Sequence, residues 1–357
     1  MANKNALNAL IGNKNALIGI GVLIMVAGLV AYLYLMPTAP DPEDQLTIYS
    51  TIDPEDFVVW QDAFNEKYPD VVVNYVQGWP SAIYSRMVSE RDAGEPTADV
   101  VMISLSLQLV LQEEGFFDVY ESPEASAYPD IYKDPDGYWT TVVLLPMLQV
   151  RNTDLVSDNE VPTTIDEIVD PKWNGKATIH DLTLGTVGTQ YFGSMKESMG
   201  EAEWESFIER LATNVEPIRS PSFEGIIAPV ASGEQSIALN VYMHDFLSKK
   251  NNGAPVDSFT IDELPVLTTL LPVSLVKDAE NPIAAQLFID FILSEDGQEV
   301  VGNTEVRIAA RPGITATYTL ETVLPGKTPD DLSIFPTEDV RKNTDSYKEY
   351  FVSQFAG

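Results

Sequence analysis

The chain has 357 residues, with 54 acids against 21 bases, a formal charge of −33, 45% hydrophobic residues and no cysteine. That apolar content excludes a wholly disordered chain, and the missing thiol excludes disulfides, thiolate metal sites and a cysteine nucleophile. A surface this acidic repels phosphate backbones, which excludes nucleic acid as a partner.

Residues 1–36 carry Lys4 and Lys14 and no acid, so residues 37–357 hold all 54 acids and 19 of the 21 bases, a net of −35. Within the first segment, Ala16–Met36 has no charge. At about 1.5 Å per residue it makes about 31 Å of helix, enough for a bilayer core. A cleavable signal has a shorter apolar region, about 7–15 residues. Lysines precede the run and Asp41, Glu43 and Asp44 follow it. The positive-inside rule therefore predicts a cytoplasmic terminus over 1–15 and an anchor or uncleaved signal over 16–36. A proline-rich stem over 37–45 then leads outside, so the chain is expected in the cell membrane, single-pass, with its large C-terminal part on the extracellular or periplasmic side.

Single cores stop growing near about 250–300 residues, so the remainder is expected to form two lobes. Leu46–Ser50 reads as a strand. Asp53-Pro54-Glu55-Asp56 opens a helix with Phe57, Trp60 and Phe64 on its apolar face. Val71–Val76 is the next strand, and a helix follows from Ser81 through Ile83 and Met87. Ala98–Ser104 is a strand, and Leu105–Glu114 a helix closed by Gly115. Thr163-Thr164 opens a helix with Asp166 and Glu167 as capping partners. Then come strand Lys176–Asp181, helices Gly185–Met199, Glu201–Thr213 and Ser222–Ser232, and strand Ser236–Tyr242. This alternation predicts parallel sheets covered by helices on both faces, a doubly wound α/β arrangement. Trp139–Val150 and Leu264–Val276 are long, apolar and β-branched, each with an internal proline. They are expected to cross between lobes, with Pro146 and Pro272 breaking the ladder where the chain changes sheet. Beyond about 314, Tyr347, Tyr350, Phe351 and Phe355 predict a last helix docked on a lobe. Trp60 and Trp204 read as core, Trp139 and Trp173 as packing at a strand entry and a turn.

The stretches LTIYSTIDPEDF, GWPSAIYSRM, PTADVVMIS, LLPMLQVRNTDLV, TTIDEIVDPKWNGKATIHDLTLGT, VASGEQSIALNVY and LVKDAENPIAAQLFIDFILSEDGQEVV follow one another over about residues 46–313. In that order they resemble the extracellular solute-binding proteins of ABC importers, of the two-lobed type whose members bind ferric iron, phosphonates, polyamines or thiamine. The resemblance implies one lobe over 46–143 and 274–313, a second over 147–272, and an extension over 314–357 packed on a lobe. It implies a ligand cleft between lobes joined by two crossing strands, closure by hinge motion, and delivery to permease subunits in the membrane by a monomeric ectodomain. It implies no enzyme and no resident cofactor, with Fe3+ at most a transported solute. The second reading is a ligand-free surface sensor or structural subunit on the same fold.

The residues give the binding chemistry separately. Ligands of open α/β sheets sit beyond the carboxyl ends of strands, where helix N-termini converge. Those junctions here carry Ser50-Thr51, Trp79 with Ser81, Ser104 with Ser106, Thr183 with Thr186, and Ser222. Hydroxyls, free amides and a positive dipole end suit an oxyanion. Ferric members of the resembled family carry two adjacent tyrosines where this chain reads Leu239-Asn240-Val241-Tyr242, so the ferric reading rests on Tyr242 with Asp53. A cation held by Trp79, Tyr242 and nearby acids is a third option. Arg86, Arg151 and Arg219 are candidates for a fork on an anion. His180 and His244, far apart in sequence, read as satisfied surface residues. No phosphate loop, nucleophile elbow or zinc-helix motif is present.

Overall fold

The computed structural model describes residues 43–184 and 186–355. The expected cytoplasmic terminus, the anchor at 16–36 and the stem before Glu43 lie outside the described residues. Among the described residues no helix is long and apolar enough to cross a membrane.

Three βα units come first. β1 (Gln45–Ser50) buries Leu46 and Ile48. α1 (Pro54–Lys67) begins after the extended backbone of Asp53, with proline in its first turn, and buries Phe57, Trp60 and Phe64 as its spacing predicts. β2 (Val72–Gln77) leads to α2 (Pro80–Ala93), which Gly94 ends at φ 66°, a left-handed cap that glycine adopts without penalty. β3 (Val100–Met102) leads to α3 (Leu105–Glu113). β1 lies between β2 and β3, parallel to both.

β4 (Thr140–Asn152) follows, then the short α4 (Ile165–Ile168), capped by Thr164 through the Glu167 amide. β5 (Ala177–His180), α5 (Thr186–Met199), α6 (Glu201–Arg210), β6 (Ile218–Ser220), α7 (Glu224–Ala231) and β7 (Ile237–Tyr242) build the second set of units. β5 is parallel to β6 and to β7. α8 (Met243–Asn251), β8 (Val256–Phe259) and β9 (Val266–Leu275) complete it.

β4 and β9 are the two long apolar segments, and they pair with each other antiparallel from Thr140↔Val273 to Pro146↔Thr268. From Met147 onward β4 pairs instead with β7 and β8. The partner changes at Pro146, where the missing N–H frees one edge of the strand. Pro272 marks the matching change on β9: it faces Thr141 of β4 beside a bulge between Thr141 and Val143, and from Ser274 β9 pairs instead with β3. Eight of the eleven described strands form one continuous path, β2-β1-β3-β9-β4-β7-β5-β6, with parallel units at each end and β9 and β4 in the middle.

α9 (Pro282–Leu293), α10 (Glu295–Asn303) and β10 (Ile308–Ala309) return to the β4 side, where Ile308 faces Leu144. α11 (Leu320–Val323), β11 (Leu332–Ile334), α12 (Glu338–Lys342) and α13 (Thr344–Phe355) follow. β11 adds to β9 in parallel. α13 rests on α5 and α6, its Tyr347, Tyr350 and Phe351 rings 5.0–5.8 Å from Trp204. The tail also reaches the other end of the sheet, for Arg341 of α12 is ion-paired to Glu113 of α3. Trp60, Trp139, Trp173 and Trp204 are all buried.

Candidate functional site

The carboxyl ends of the parallel strands carry the candidate residues. At the end of β1, Ser50 is buried and its hydroxyl accepts from the Ile52 amide at 3.2 Å. The Thr51 amide bonds the Met102 carbonyl at 3.2 Å. Trp79 precedes α2 with its ring 76% exposed. Ser81 is no cap: Pro80 starts the helix at its own fixed φ, so the cap position falls on Trp79 and Ser81 is an exposed second helical residue. Ser104 precedes α3 and its hydroxyl caps nothing there; Ser106 is half-buried in the first turn.

On the other end, the Thr183 hydroxyl and amide both bond Asp181 at 2.7 Å, and Thr186, exposed, begins α5. Burial works to raise the Asp181 carboxyl, but the Thr183 bonds and the Arg219 charge hold it below the usual range. The Ser222 hydroxyl accepts from the Gly225 amide at 3.1 Å, a cap at the head of α7. Tyr242 is buried where β7 ends and α8 begins.

The rings join these ends into one wall. His180 lies 4.7 Å from Phe223, Phe223 4.6 Å from Tyr242, and Tyr242 is stacked on His244 at 5.1 Å. Asn240, in the left-handed region at φ 51°, accepts the His180 amide on Oδ1 at 3.1 Å. Both histidines depart from the surface reading. His180 is 4% exposed because it ends a central strand, and His244 is half-buried beneath the Tyr242 ring. Among the described residues, His180 Nδ1, His244 Nδ1 and Asn240 Nδ2 are buried polar atoms with no hydrogen-bond partner. Such atoms cost about 1–3 kcal/mol each when left unmet; of the three, His180 Nδ1 is packed against Gly188 of α5.

Protonation follows burial. Burial, then the Arg307 charge, pushes His244 down to about 3, and burial also lowers His180, so both rings are neutral near pH 7. Burial pushes the Tyr242 hydroxyl well above its usual value, with Asp245 adding to it. The Asp245 carboxyl is raised to about 6 by burial and by Glu224, against the pull of Lys249 and Arg307.

Arg307 is the cation that sequence reasoning missed. Its Nε donates to Asp56 at 2.7 Å and its Nη2 to Asp53 at 3.2 Å. Asp53, Asp56 and Arg307 line an open recess of about 460 Å³ with Ser248 of α8, so α1 and α8 face each other across it. Val306, before Arg307, sits at φ 52°, a strained position for a β-branched residue. No spacing in the sequence marks Arg307, because its partners lie about 250 positions earlier. Arg86 is committed to Glu90 and the Tyr49 ring, and Arg151 to the Val156 carbonyl and Asp158, so neither offers a free fork. Arg219 is exposed over the Phe355 ring. Among the described residues no group of three His, Asp or Glu side chains is placed to hold a metal ion, and Asp53 is already paired with Arg307.

A family model described as bacterial extracellular solute-binding protein matches residues 95–316. An uncharacterized protein of Haemophilus influenzae is 28% identical over 254 residues, covering 67% of this chain and 69% of that one. Iron-bound HitA from Pseudomonas aeruginosa superposes with a TM-score of 0.69 at 18% identity, over 87% of this chain and 99% of that chain. AfuA from Actinobacillus pleuropneumoniae, holding fructose-6-phosphate, gives 0.67 at 21% identity, over 87% and 98%.

Proposed function

The chain belongs to the family of bacterial extracellular solute-binding proteins, and from that premise we propose that it captures a hydroxylated organic oxyanion for an ABC importer. The ligand sits between the two ends of the sheet. Its charge is met by helix N-terminal amides and the hydroxyls of Ser104, Thr186 and Ser222. Its neutral hydroxyls are met by Asn240 and His244 of the ring wall. The observation that carries this choice is the pair of buried, unpartnered polar atoms in that wall, Asn240 Nδ2 and His244 Nδ1. A bare inorganic anion would leave them unmet. AfuA, of the same fold, holds fructose-6-phosphate, a molecule with both kinds of group.

The moving bodies on this reading are 46–143 with 274–313 and 147–272, turning about β4 and β9. Residues 16–36 tether the chain outside the cell, and permease subunits receive the solute. The role is binding and delivery, not catalysis. Iron-bound HitA supports a second reading, a ferric ion with a companion anion on Tyr242. Against it stand the hydroxyl that burial keeps protonated and the pairing of Asp53 with Arg307.

A thermal-shift panel separates the readings. A ligand at 100 times Kd stabilises by about 2.7 kcal/mol. Fructose 6-phosphate or glucose 6-phosphate is expected to raise the melting temperature, and inorganic sulfate to do so weakly or not at all. A shift with ferric citrate alone would favour iron. No shift with any solute would favour the ligand-free sensor.

A further inference from the structure

Residues beyond 316 lie outside the span that the family model matches. They start on one end of the sheet, where the Tyr318 amide bonds the Gly302 carbonyl and the Tyr318 carbonyl accepts from the Ala309 amide. They finish on the other. The Phe335 amide bonds the Thr268 carbonyl of β9 at 3.0 Å, the Phe335 ring lies 5.8 Å from Tyr191 of α5, and α13 covers Trp204 of α6. This segment is therefore a third connection between the two ends, besides β4 and β9.

Within it, α12 touches both ends. Val340 is buried against α5, where a Cβ on Gly193 would come within 3.2 Å of it, and Gln190 of α5 donates to Thr344 at 3.2 Å. The residue after Val340 is Arg341, whose Nη1 donates to Glu113 Oε2 at 3.0 Å while its Nη2 donates to Oε1. A two-bond fork of this kind fixes direction as well as distance. Its guanidinium holds the Glu113 carboxyl below the usual range. Glu113 is the last residue of α3, which Ser104 precedes, and α5 begins at Thr186. On the proposed reading those two helix heads face the ligand from opposite ends of the sheet. Helices are stiff rods, so turning one head against the other moves Glu113 against α12. We infer that Arg341 and Glu113 are positioning residues, a clasp that holds the heads of α3 and α5 at a set spacing for the ligand. The inference rests on the proposed cleft.

The test uses the full chain with spin labels. The sequence has no cysteine, so Glu66→Cys on α1 and Glu203→Cys on α6, both exposed, give one labelled pair across the two ends. Pulsed electron resonance then reads the distance distribution. Glu113→Gln, at an exposed helix end, leaves the seat of α12 on α5 untouched, and Arg341→Met keeps the apolar stem. Each is expected to broaden the distribution of the free protein, and the double variant to broaden it no further, because the two residues act as one pair. Fructose 6-phosphate is expected to narrow the distribution again, and by calorimetry to bind each variant about 2- to 5-fold more weakly, the range of a part-exposed ion pair. An unchanged distribution in both single variants would overturn the inference. Broadening that adds in the double variant, or broadening with wild-type affinity, would overturn it equally. If the sugar phosphate binds neither wild type nor variant, the cleft reading fails, and the distances in free protein still decide whether the clasp exists.

Discussion

Asp245→Asn tests the electrostatics of the site through pH. In the folded protein the Asp245 carboxyl is raised to about 6, first by burial and then by Glu224. Below pH 6 it is neutral and can donate to an oxyanion; above, it becomes a carboxylate at the head of α8. A like charge about 6 Å from the ligand costs about 3 kcal/mol at an effective dielectric of 20. Asp245 is partly solvated, and Lys249 and Arg307 offset part of its charge, so about 1–2 kcal/mol, or 5- to 30-fold in Kd, is expected. Calorimetry with fructose 6-phosphate at pH 5, 6, 7 and 8, on wild type and Asp245→Asn, reads this directly. The phosphate itself titrates near 6, so the informative quantity is the ratio of the two proteins' affinities. That ratio should fall against the wild type as pH rises through 6. Stability carries the same sign: a carboxyl raised in the folded state binds its proton more tightly than the unfolded chain does. Wild-type stability relative to Asp245→Asn should therefore fall between about pH 4 and 6 and stay level above. Parallel affinity curves for the two proteins across the whole range would refute the placement of Asp245 at the ligand.

Other outcomes follow from the same geometry. Ser222→Ala removes the acceptor of the Gly225 amide, which should lower stability by about 1 kcal/mol by thermal denaturation and weaken sugar phosphate binding by calorimetry about 5- to 150-fold. Tyr242→Phe should leave oxyanion affinity within about threefold, because among the described residues the hydroxyl makes no hydrogen bond and the ring keeps its stacking on His244; a large loss, with loss of a phenolate-to-iron absorption band, would favour iron. Arg341→Ala should release the α12–α3 ion pair and change the difference in radius of gyration between free and ligand-saturated protein in X-ray scattering; an unchanged difference would mean the tail does not restrain closure.

The elements whose signals are local were legible in the sequence. Asp53-Pro54, the Phe57–Trp60–Phe64 spacing and Gly115 fix α1 and the end of α3 through backbone chemistry alone. Pro146 marked the point where β4 changes partner, because a missing N–H acts wherever the residue lies. Pro272 did the same for β9, which leaves β4 after Val273 and takes β3 from Ser274. The site was less legible. His180 and His244 are 64 positions apart and meet only through Phe223 and Tyr242, a contact that no spacing rule encodes. Arg307 was missed for the same reason: its partners Asp53 and Asp56 lie about 250 positions earlier, and its placement depends on the strained Val306.

The capture of a hydroxylated oxyanion is tested most directly by mass spectrometry of the solute released from protein purified out of its own cells. A small organic phosphate or carboxylate bearing hydroxyl groups is expected, near one per chain, and it should be lost from the Asn240→Ala variant. Stoichiometric iron with a companion anion, or an organic cation in its place, would contradict it.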